Sequence, residues 1–195
     1  MKKVAAVVFD LDGTITKPIL DFDLIRSEIG NISGPILEAM EKMSPAEISH
    51  ANEILDRHEL EAAENSELNP GAKELLDLLR GQGRLLGVVT RNKHQSVQRI
   101  CQLHDLHFDG IVTREDGPAK PDPFGVLRAC EMMGVSAEDC LMVGDYVFDL
   151  ISGRRAGARS VLITTSEHHK DYVPEADYVI ELLAELPGII GEIEA

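Results

Sequence analysis

The sequence predicts an α/β protein: a doubly wound parallel sheet with helices on both faces and a small all-helical region inserted after the first strand. Two observations support this fold class. Short apolar runs alternate with helical patterns along most of the chain, which is typical of a parallel sheet whose strands are buried on both sides. Residues 16–69 break that alternation, because they contain helical patterns and no strand-like run.

The first strand is predicted at residues 4–9, a continuous apolar run rich in Val that stops at Asp10. Similar runs follow at residues 85–89, 110–112, 140–143 and 160–163. Helical patterns lie between them, at residues 71–80, 95–103, 123–133 and 148–155. Asp122 is expected to be the N-cap of the third of these helices, with Pro123 at its first helical position. Because strands and helices alternate, neighbouring strands should run parallel.

The inserted region contains two recognisable helical patterns. Residues 21–29 form the first, which ends at Gly30. A capping box, Ser44-Pro45-Ala46-Glu47, opens a longer helix whose apolar residues recur every three or four positions. The segment Asn69-Pro70-Gly71 then indicates a hinge that returns the chain to the sheet. We therefore expect two domains, an α/β core of residues 1–15 and 70–195 and a helical domain of residues 16–69.

Composition and charge argue against several classes of function. The chain has 195 residues and a formal net charge of −15. This charge disfavours nucleic acid and anionic membrane surfaces as partners, since both attract Lys and Arg. No run approaches the ~20 apolar residues that span a bilayer. Three cysteines without a CxxC pair favour buried free thiols and a cytoplasmic location.

Polar residues stand at the predicted carboxyl ends of the strands. In an open parallel sheet these ends line one crevice, where ligands bind. Lys120 lies just before the helix that follows the third strand and is expected to reach the same crevice. Asp145 and Asp149 are four residues apart, so both can face the crevice from the start of one helix. The residues expected around this single site are Asp10, Asp12, Thr90, Lys120, Asp145 and Asp149.

These residue types point to phosphoryl chemistry. Carboxylates crowded into one crevice repel one another, so some must be protonated or a cation must lie among them. Oxygen ligands suit Mg²⁺, which binds one or two carboxylates together with phosphate oxygens. Lys120 and the Thr90 hydroxyl would add a positive charge and a donor for a phosphoryl group. No GxxxxGK[ST] motif is present, so the phosphoryl group is more readily accepted by an aspartate, as an aspartyl-phosphate, than held as part of a nucleotide.

Four segments, in their order and spacing, resemble the motifs of the haloacid dehalogenase-like superfamily, and in particular its phosphoglycolate-phosphatase-like branch. They are Asp10-Leu11-Asp12-Gly13-Thr14, Val89-Thr90-Arg91-Asn92, Lys120-Pro121-Asp122-Pro123, and Gly144-Asp145 with Asp149. The inserted helical region resembles the cap that this family carries just after its first motif. The resemblance covers nearly the whole chain and implies a phosphatase with a small cap.

The resemblance implies roles for the residues that meet the substrate. Asp10 would be the nucleophile, and Asp12 the general acid that later acts as general base. Thr90 and Lys120 would hold the phosphoryl group. Arg91 and Asn92 follow Thr90, so they could either contact the substrate or form an exposed loop pair. Dehalogenases of the family lack an acid at the Asp12 position, so its presence here favours phosphoryl transfer.

The resemblance also implies a metal site. Mg²⁺ would be bound by Asp10, by the backbone carbonyl of Asp12 and by Asp145. Asp149 would be either a further metal ligand or a residue that orients the others. The expected substrate is a small phosphorylated metabolite, which makes Mg²⁺ and that metabolite the expected partners of the chain.

Two other functions use the same residue types. A phosphomutase would form the same aspartyl-phosphate, but it must exclude water between its half-reactions, and a short cap is poorly suited to that. A signalling receiver domain also combines an acidic pocket with a phospho-accepting Asp, a Thr and a Lys. Receivers place the acceptor after a later strand and lack such an insertion.

Within the cap, Lys17 and Arg26 are candidate contacts to the leaving group.

Overall fold

The structure, a computed structural model, describes residues 3–164 and 167–195, with only the backbone of residues 167–170. In this part of the chain six parallel strands form one sheet, in the order β3-β2-β1-β4-β5-β6. The strands are β1 (Ala6–Phe9), β2 (Leu85–Val89), β3 (Gly110–Val112), β4 (Cys140–Gly144), β5 (Arg159–Ile163) and β6 (Tyr178–Ile180). The predicted doubly wound parallel sheet is therefore confirmed.

The central strand β1 explains the continuous apolar run near the N-terminus. Val7 and Phe9 pack into the apolar core on one face of the sheet, whereas Ala6 and Val8 pack into the core on the other face. The strand order reverses between β1 and β4, because β2 and β3 lie on one side of β1 and the later strands on the other. The carboxyl ends of β1 and β4 therefore flank the point at which doubly wound sheets bind ligands.

Helices cover both faces of the sheet. Residues of α4, α5 and α8 belong to the core that contains Val7 and Phe9, and residues of α6 and α7 pack against the opposite core. The helices of the described chain are α1 (Phe22–Gly30), α2 (Ile36–Met40), α3 (Pro45–Glu64), α4 (Ala72–Gly81), α5 (His94–His104), α6 (Phe124–Met133), α7 (Val147–Ala156) and α8 (Leu186–Glu194). None of them combines the length and apolar character needed to cross a bilayer.

The inserted helices α1, α2 and α3, which we call the cap helices, have a small apolar core of their own. Ile25 of α1, Ile36 of α2 and Leu55 of α3 are among its buried residues. Ser44 caps α3 as predicted: its hydroxyl accepts from the Glu47 N–H, and the Glu47 side chain accepts from the Ser44 N–H at 2.8 Å.

Ion pairs join the cap helices to the sheet. The Arg114 side chain, just after β3, pairs with Asp56 at 3.0 Å and also contacts Glu59, both on α3. Lys93, at the start of α5, pairs with the same Asp56 at 2.5 Å. These contacts fix how the cap helices sit above the carboxyl ends of the strands.

Some local predictions need correction. The helix α6 begins at Phe124 with Pro123 at the N-cap position, so Asp122 is not its N-cap. The Asp122 carboxylate instead accepts from the Phe124 N–H at 2.8 Å and closes a tight turn before the helix. Three further elements, α2, α8 and β6, are not predicted from the sequence. Of these, α2 has five residues and β6 three, which is too short for a clear periodic pattern.

Candidate active site

The segment after β1 brings two carboxylates to the ligand-binding edge of the sheet. Asp10 still follows the path of the strand, because its N–H donates to the Val143 carbonyl at 2.8 Å. The chain then folds back around Leu11, whose carbonyl accepts from the N–H groups of Ile15 and Thr16, each at 2.9 Å. This tight turn fixes the backbone that carries Asp12.

A buried lysine lies between two of the acids. The Lys120 ammonium contacts Asp10, lies 2.6 Å from Oδ1 of Asp149 and donates to the Val89 carbonyl at 2.8 Å. Its side chain is only 3% exposed. The other oxygen of Asp149, Oδ2, accepts from the Tyr146 N–H at 3.0 Å. Both oxygens of Asp149 are therefore engaged, one by the lysine and one by the backbone at the start of α7.

The Asp12 carboxylate is oriented by neighbouring polar groups. Asn92 donates its side-chain amide N–H to Oδ2 of Asp12 at 2.6 Å, and the Thr16 hydroxyl lies 3.5 Å from Oδ1. Asn92 is buried, and its backbone N–H donates to the Thr90 hydroxyl at 3.1 Å. The sequence alone leaves Asn92 open between substrate contact and an exposed loop. The signal that could have identified it is its place two residues after Thr90, at the carboxyl end of β2.

Three carboxylates form a cluster that fits a metal ion. One oxygen each of Asp10, Asp145 and Asp149 can be chosen so that all three lie within 4.8 Å of one another. Two glycines allow this crowding: a Cβ on Gly13 would lie 2.2 Å from an oxygen of Asp145, and one on Gly144 would lie 2.3 Å from Asp149. Hard carboxylate oxygens in such a cluster are the ligands that Mg²⁺ prefers.

Electrostatics within the cluster favour a further positive charge. Burial raises the pKa of the Asp10 carboxyl to about 7, although the Lys120 ammonium opposes this shift. The pKa of Asp145 rises to about 8, first because the group is buried and then because Asp10 and Asp149 lie nearby. Burial also raises the pKa of Asp12, against the hydrogen bond from Asn92. Each acid would ionise more readily beside a cation.

The lysine remains protonated in this setting. Burial alone would lower the pKa of Lys120, but the carboxylates of Asp10 and Asp149 outweigh burial and raise it above its usual value. Lys120 is therefore a fixed positive charge at the base of the site.

Arg91 lies at the edge of the site and is held by the cap. Its guanidinium forms a two-pronged pair with Glu38 of α2, at 2.9 and 2.7 Å. The same group lies over the ring of Phe148, 5.1 Å from the ring centre. This residue thus links the cap helices to the start of α7.

All of the site residues predicted from the sequence line one cavity of about 380 Å³ between the sheet and the cap helices. Of the two cap residues proposed as contacts, Arg26 lines this cavity. Lys17, which precedes α1, is instead paired at 2.6 Å with Glu67, which follows α3, and both side chains are exposed. The predicted residues that line the cavity, from the strand ends and from the segment after Thr90, are Asp10, Asp12, Thr90, Arg91, Lys120, Asp145 and Asp149.

Comparison with known proteins settles the family. The sequence profile of the haloacid dehalogenase-like hydrolases matches residues 4–157. The chain belongs to the haloacid dehalogenase-like hydrolases. It is 32% identical over 174 residues to a haloacid dehalogenase-like hydrolase domain-containing protein of Arabidopsis thaliana, an alignment that covers 83% of this chain and 71% of that protein.

Other relatives of this haloacid dehalogenase-like hydrolase are named as phosphatases. The pyrophosphatase PpaX of Bacillus mycoides strain KBAB4 is 27% identical over 217 residues, with 98% of this chain and 99% of that protein covered. A solved structure described as a predicted phosphoglycolate phosphatase, from Haemophilus somnus 129pt, has the same fold. Its TM-score is 0.73 at 24% identity, over 97% of this chain and 99% of that one. The chain is therefore an enzyme, a hydrolase with phosphatase-named relatives.

Proposed function

We propose that this hydrolase is a Mg²⁺-dependent phosphatase that cleaves a small phosphate monoester through an aspartyl-phosphate on Asp10. The observation that carries the proposal is the buried cluster in which one ammonium, Lys120, contacts two of three crowded carboxylates at the base of a cavity. With a cation bound among its carboxylates, such a cluster would bind and polarise a phosphoryl group.

Asp10 is the proposed nucleophile. One of its carboxylate oxygens attacks phosphorus, and the bond between phosphorus and the leaving oxygen breaks. Its position directly after β1, with its N–H bound to Val143, fixes the carboxylate at the base of the cavity. Contact with Lys120 helps keep that carboxylate ionised and balances charge as the phosphoryl group arrives.

Asp12 is the proposed general acid and base. Its protonated form gives a proton to the leaving oxygen in the first step. In the second step, water attacks phosphorus, Asp12 takes a proton from that water, and the bond from phosphorus to Asp10 breaks. Burial raises the pKa of Asp12, which favours the protonated form that the first step needs. The amide of Asn92 holds the carboxylate in place, so we assign Asn92 as a positioning residue.

Mg²⁺ fits the acidic cluster and would be held by Asp10, Asp145 and the backbone carbonyl of Asp12. When bound, it supplies charge neutralisation for the phosphoryl oxygens and the attacking carboxylate. We assign Asp149 as a positioning residue, because both of its oxygens are already engaged by Lys120 and the Tyr146 N–H. Thr90, buried at the end of β2, would bind a phosphoryl oxygen from the same edge of the cavity.

The cap helices would close the cavity over the leaving group. We propose that residues 16–69 form a cap domain on a core of residues 1–15 and 70–195. The separate apolar core of the cap helices supports this division. The contacts of Arg91 support a substrate-binding role for the boundary between cap and core. Arg91 pairs with Glu38 of the cap and lies over Phe148 of the core.

The proposal is tested by phosphate release from a panel of phosphate monoesters, with pyrophosphate included because of the named relatives. The wild-type protein should hydrolyse at least one ester with Mg²⁺, and Asp10→Asn should not. Asp77→Asn is the matched control, since Asp77 is exposed on α4, away from the cavity. Equal activity in wild type and Asp10→Asn would overturn the proposal. Transfer of the phosphoryl group to a second hydroxyl, without release of phosphate, would instead identify a phosphomutase.

A further inference from the structure

Outside the acidic cluster, much of the cavity lining is apolar. The cap helices and the segment that leads into them line it with apolar side chains, Leu20, Phe22, Ile36, Leu37 and Leu55. A phosphoryl group on Asp10 would lie beside the acidic cluster. The leaving group of the substrate would therefore face an apolar wall.

The core supplies an aromatic wall beside it. Phe148 lines the cavity and meets Tyr146 edge to face, with ring centres 5.0 Å apart and an interplanar angle of 81°. Tyr146 packs in the same way on Tyr172 at 5.3 Å, and Arg91 lies over Phe148. These contacts hold the Phe148 ring in one orientation. Phe22 on the cap side is 49% exposed, so apolar area remains there that a ligand would cover.

The charges in the cavity disfavour a second anionic group. Each cationic side chain among the described residues that line it has a carboxylate partner. Lys120 lies in the acidic cluster, and Arg91 pairs with Glu38. The third cation, Arg26, pairs with Asp23 at 2.6 Å.

Glu59 also lines the cavity, and it is already paired with Arg114. A second phosphate or a carboxylate on the substrate would thus have to displace an existing ion pair, in a cavity that is already rich in acids.

We propose that the natural leaving group is an uncharged, apolar alcohol that carries a ring, and that a second phosphate or a carboxylate on it weakens binding. This inference rests on the proposed phosphatase function and adds the substrate class. A cavity of about 380 Å³ has room for a ring next to the phosphoryl group. The Phe148 ring on one side and an apolar wall that includes Phe22 on the other suit such a group.

The first test compares esters that differ in the leaving group. Benzyl phosphate and ethyl phosphate both release primary alkoxides, so leaving-group chemistry is similar and the ring is the main difference. We expect kcat/KM for benzyl phosphate to exceed that for ethyl phosphate by about 10- to 100-fold, from burial of the ring. Cyclohexylmethyl phosphate should lie close to benzyl phosphate. Pyrophosphate and 2-phosphoglycolate should both be poorer substrates than benzyl phosphate.

Two matched variants test whether the preference for benzyl phosphate depends on the apolar side chains of the cap helices. Phe22 and Leu24 are neighbours on α1 and similarly exposed, at 49% and 46%, but only Phe22 lines the cavity. Phe22→Ala should lower the ratio of kcat/KM for benzyl over ethyl phosphate about 5- to 20-fold, mainly through KM. Leu24→Ala should leave that ratio unchanged. Because both side chains are half exposed, both variants should fold, which circular dichroism checks.

The outcomes separate this inference from the proposed function. If no ester is hydrolysed, the phosphatase function fails and the substrate class fails with it. If esters are hydrolysed but ethyl phosphate, pyrophosphate or 2-phosphoglycolate matches or exceeds benzyl phosphate, the phosphatase function stands and the apolar substrate class is wrong. A ratio that falls equally in Phe22→Ala and Leu24→Ala would also overturn it.

Discussion

Asp149 holds the ammonium of Lys120 at 2.6 Å, and the two side chains are only 2% and 3% exposed. The second oxygen of Asp149 is bound to the Tyr146 N–H, so the carboxylate cannot turn away from the lysine without losing a hydrogen bond. The helix α7 thereby aims Lys120 at Asp10. Lys120 therefore connects Asp149, in the last of the four family motifs, to Asp10 in the first.

Replacing Lys120 should destabilise the fold. The variant Lys120→Met leaves the carboxylates of Asp10 and Asp149 without their buried counter-ion, and the loss of one partner of a buried pair costs about 3–5 kcal/mol. The free energy of unfolding, measured by urea denaturation at pH 8 with EDTA, should fall by about that amount. Lys17→Met is the control: it removes an exposed pair with Glu67 and should cost less than about 1 kcal/mol. Equal effects of the two variants would show that Lys120 is not the counter-ion of the cluster.

Gly144 should tolerate no side chain. A Cβ there would lie 2.3 Å from Asp149, so Gly144→Ala must displace that carboxylate and, with it, Lys120. We expect kcat to fall at least about 10-fold, since a misplacement of 1 Å can cost about 10²-fold. Gly188→Ala on α8, where nothing lies within 4 Å of the added methyl, should leave kcat unchanged. A Gly144→Ala enzyme with wild-type kcat would show that the placement of Asp149 does not matter for turnover.

Much of this site could be predicted because its residues follow buried strands. The apolar runs of β2 and β3 mark where these two strands begin and end. In a parallel sheet the carboxyl ends of the strands lie at the same edge, whatever the positions of the helices between them. Asp10 and Asp145 could therefore be placed together from the sequence alone.

Contacts between distant segments could not be predicted in this way. The buried hydrogen bond of Asn92 to Asp12 and the pair of Arg91 with Glu38 each join residues with no common periodic pattern. The apolar wall of the cavity depends on how α1 and α2 sit over the sheet. That arrangement is fixed by tertiary packing and by ion pairs such as Arg114 with Asp56, which the local sequence does not encode.

Binding of Mg²⁺ should release protons. In the cluster without a bound metal ion, burial and mutual repulsion raise the pKa of Asp10 to about 7 and that of Asp145 to about 8, so both carboxyls hold protons to a considerable extent at pH 7. A cation that binds them must displace those protons. We expect the affinity for Mg²⁺ to rise from pH 6 to pH 8.5.

Calorimetry at pH 7 in two buffers of different ionisation enthalpy would measure the protons released. Asp145→Asn should reduce that number. Equal affinity at pH 6 and pH 8.5, with no proton release, would contradict the raised pKa values.

A second pH effect should come from the C-terminal helix. Glu194 accepts from the Val4 N–H and from both terminal nitrogens of Arg84, each at 2.9 Å, and the Arg84 side chain lowers its pKa from 4.5 to about 2. A depressed carboxyl pKa stabilises the fold above the unfolded value, and this contribution is lost as pH falls from about 5 towards 2.

The variant Glu194→Gln tests this linkage. It should lower the free energy of unfolding by about 1 kcal/mol at pH 7, a modest value because the pair is partly exposed. The difference from wild type should shrink as the pH of the denaturation experiments falls towards 2. A difference that stays constant with pH would show that the pKa of Glu194 is not depressed.

The most direct test of the account is the fate of the phosphoryl group in Asp12→Asn. With p-nitrophenyl phosphate the leaving group needs no proton, so Asp10 should still be phosphorylated, whereas water activation in the second step is lost. We expect a burst of about one nitrophenolate per active site, then turnover slower by about 10²–10⁴-fold. Acid quench and peptide mass spectrometry should find the phosphoryl group on the peptide that contains Asp10. Steady turnover at the wild-type rate, with no phosphoryl group on that peptide, would contradict the aspartyl-phosphate mechanism.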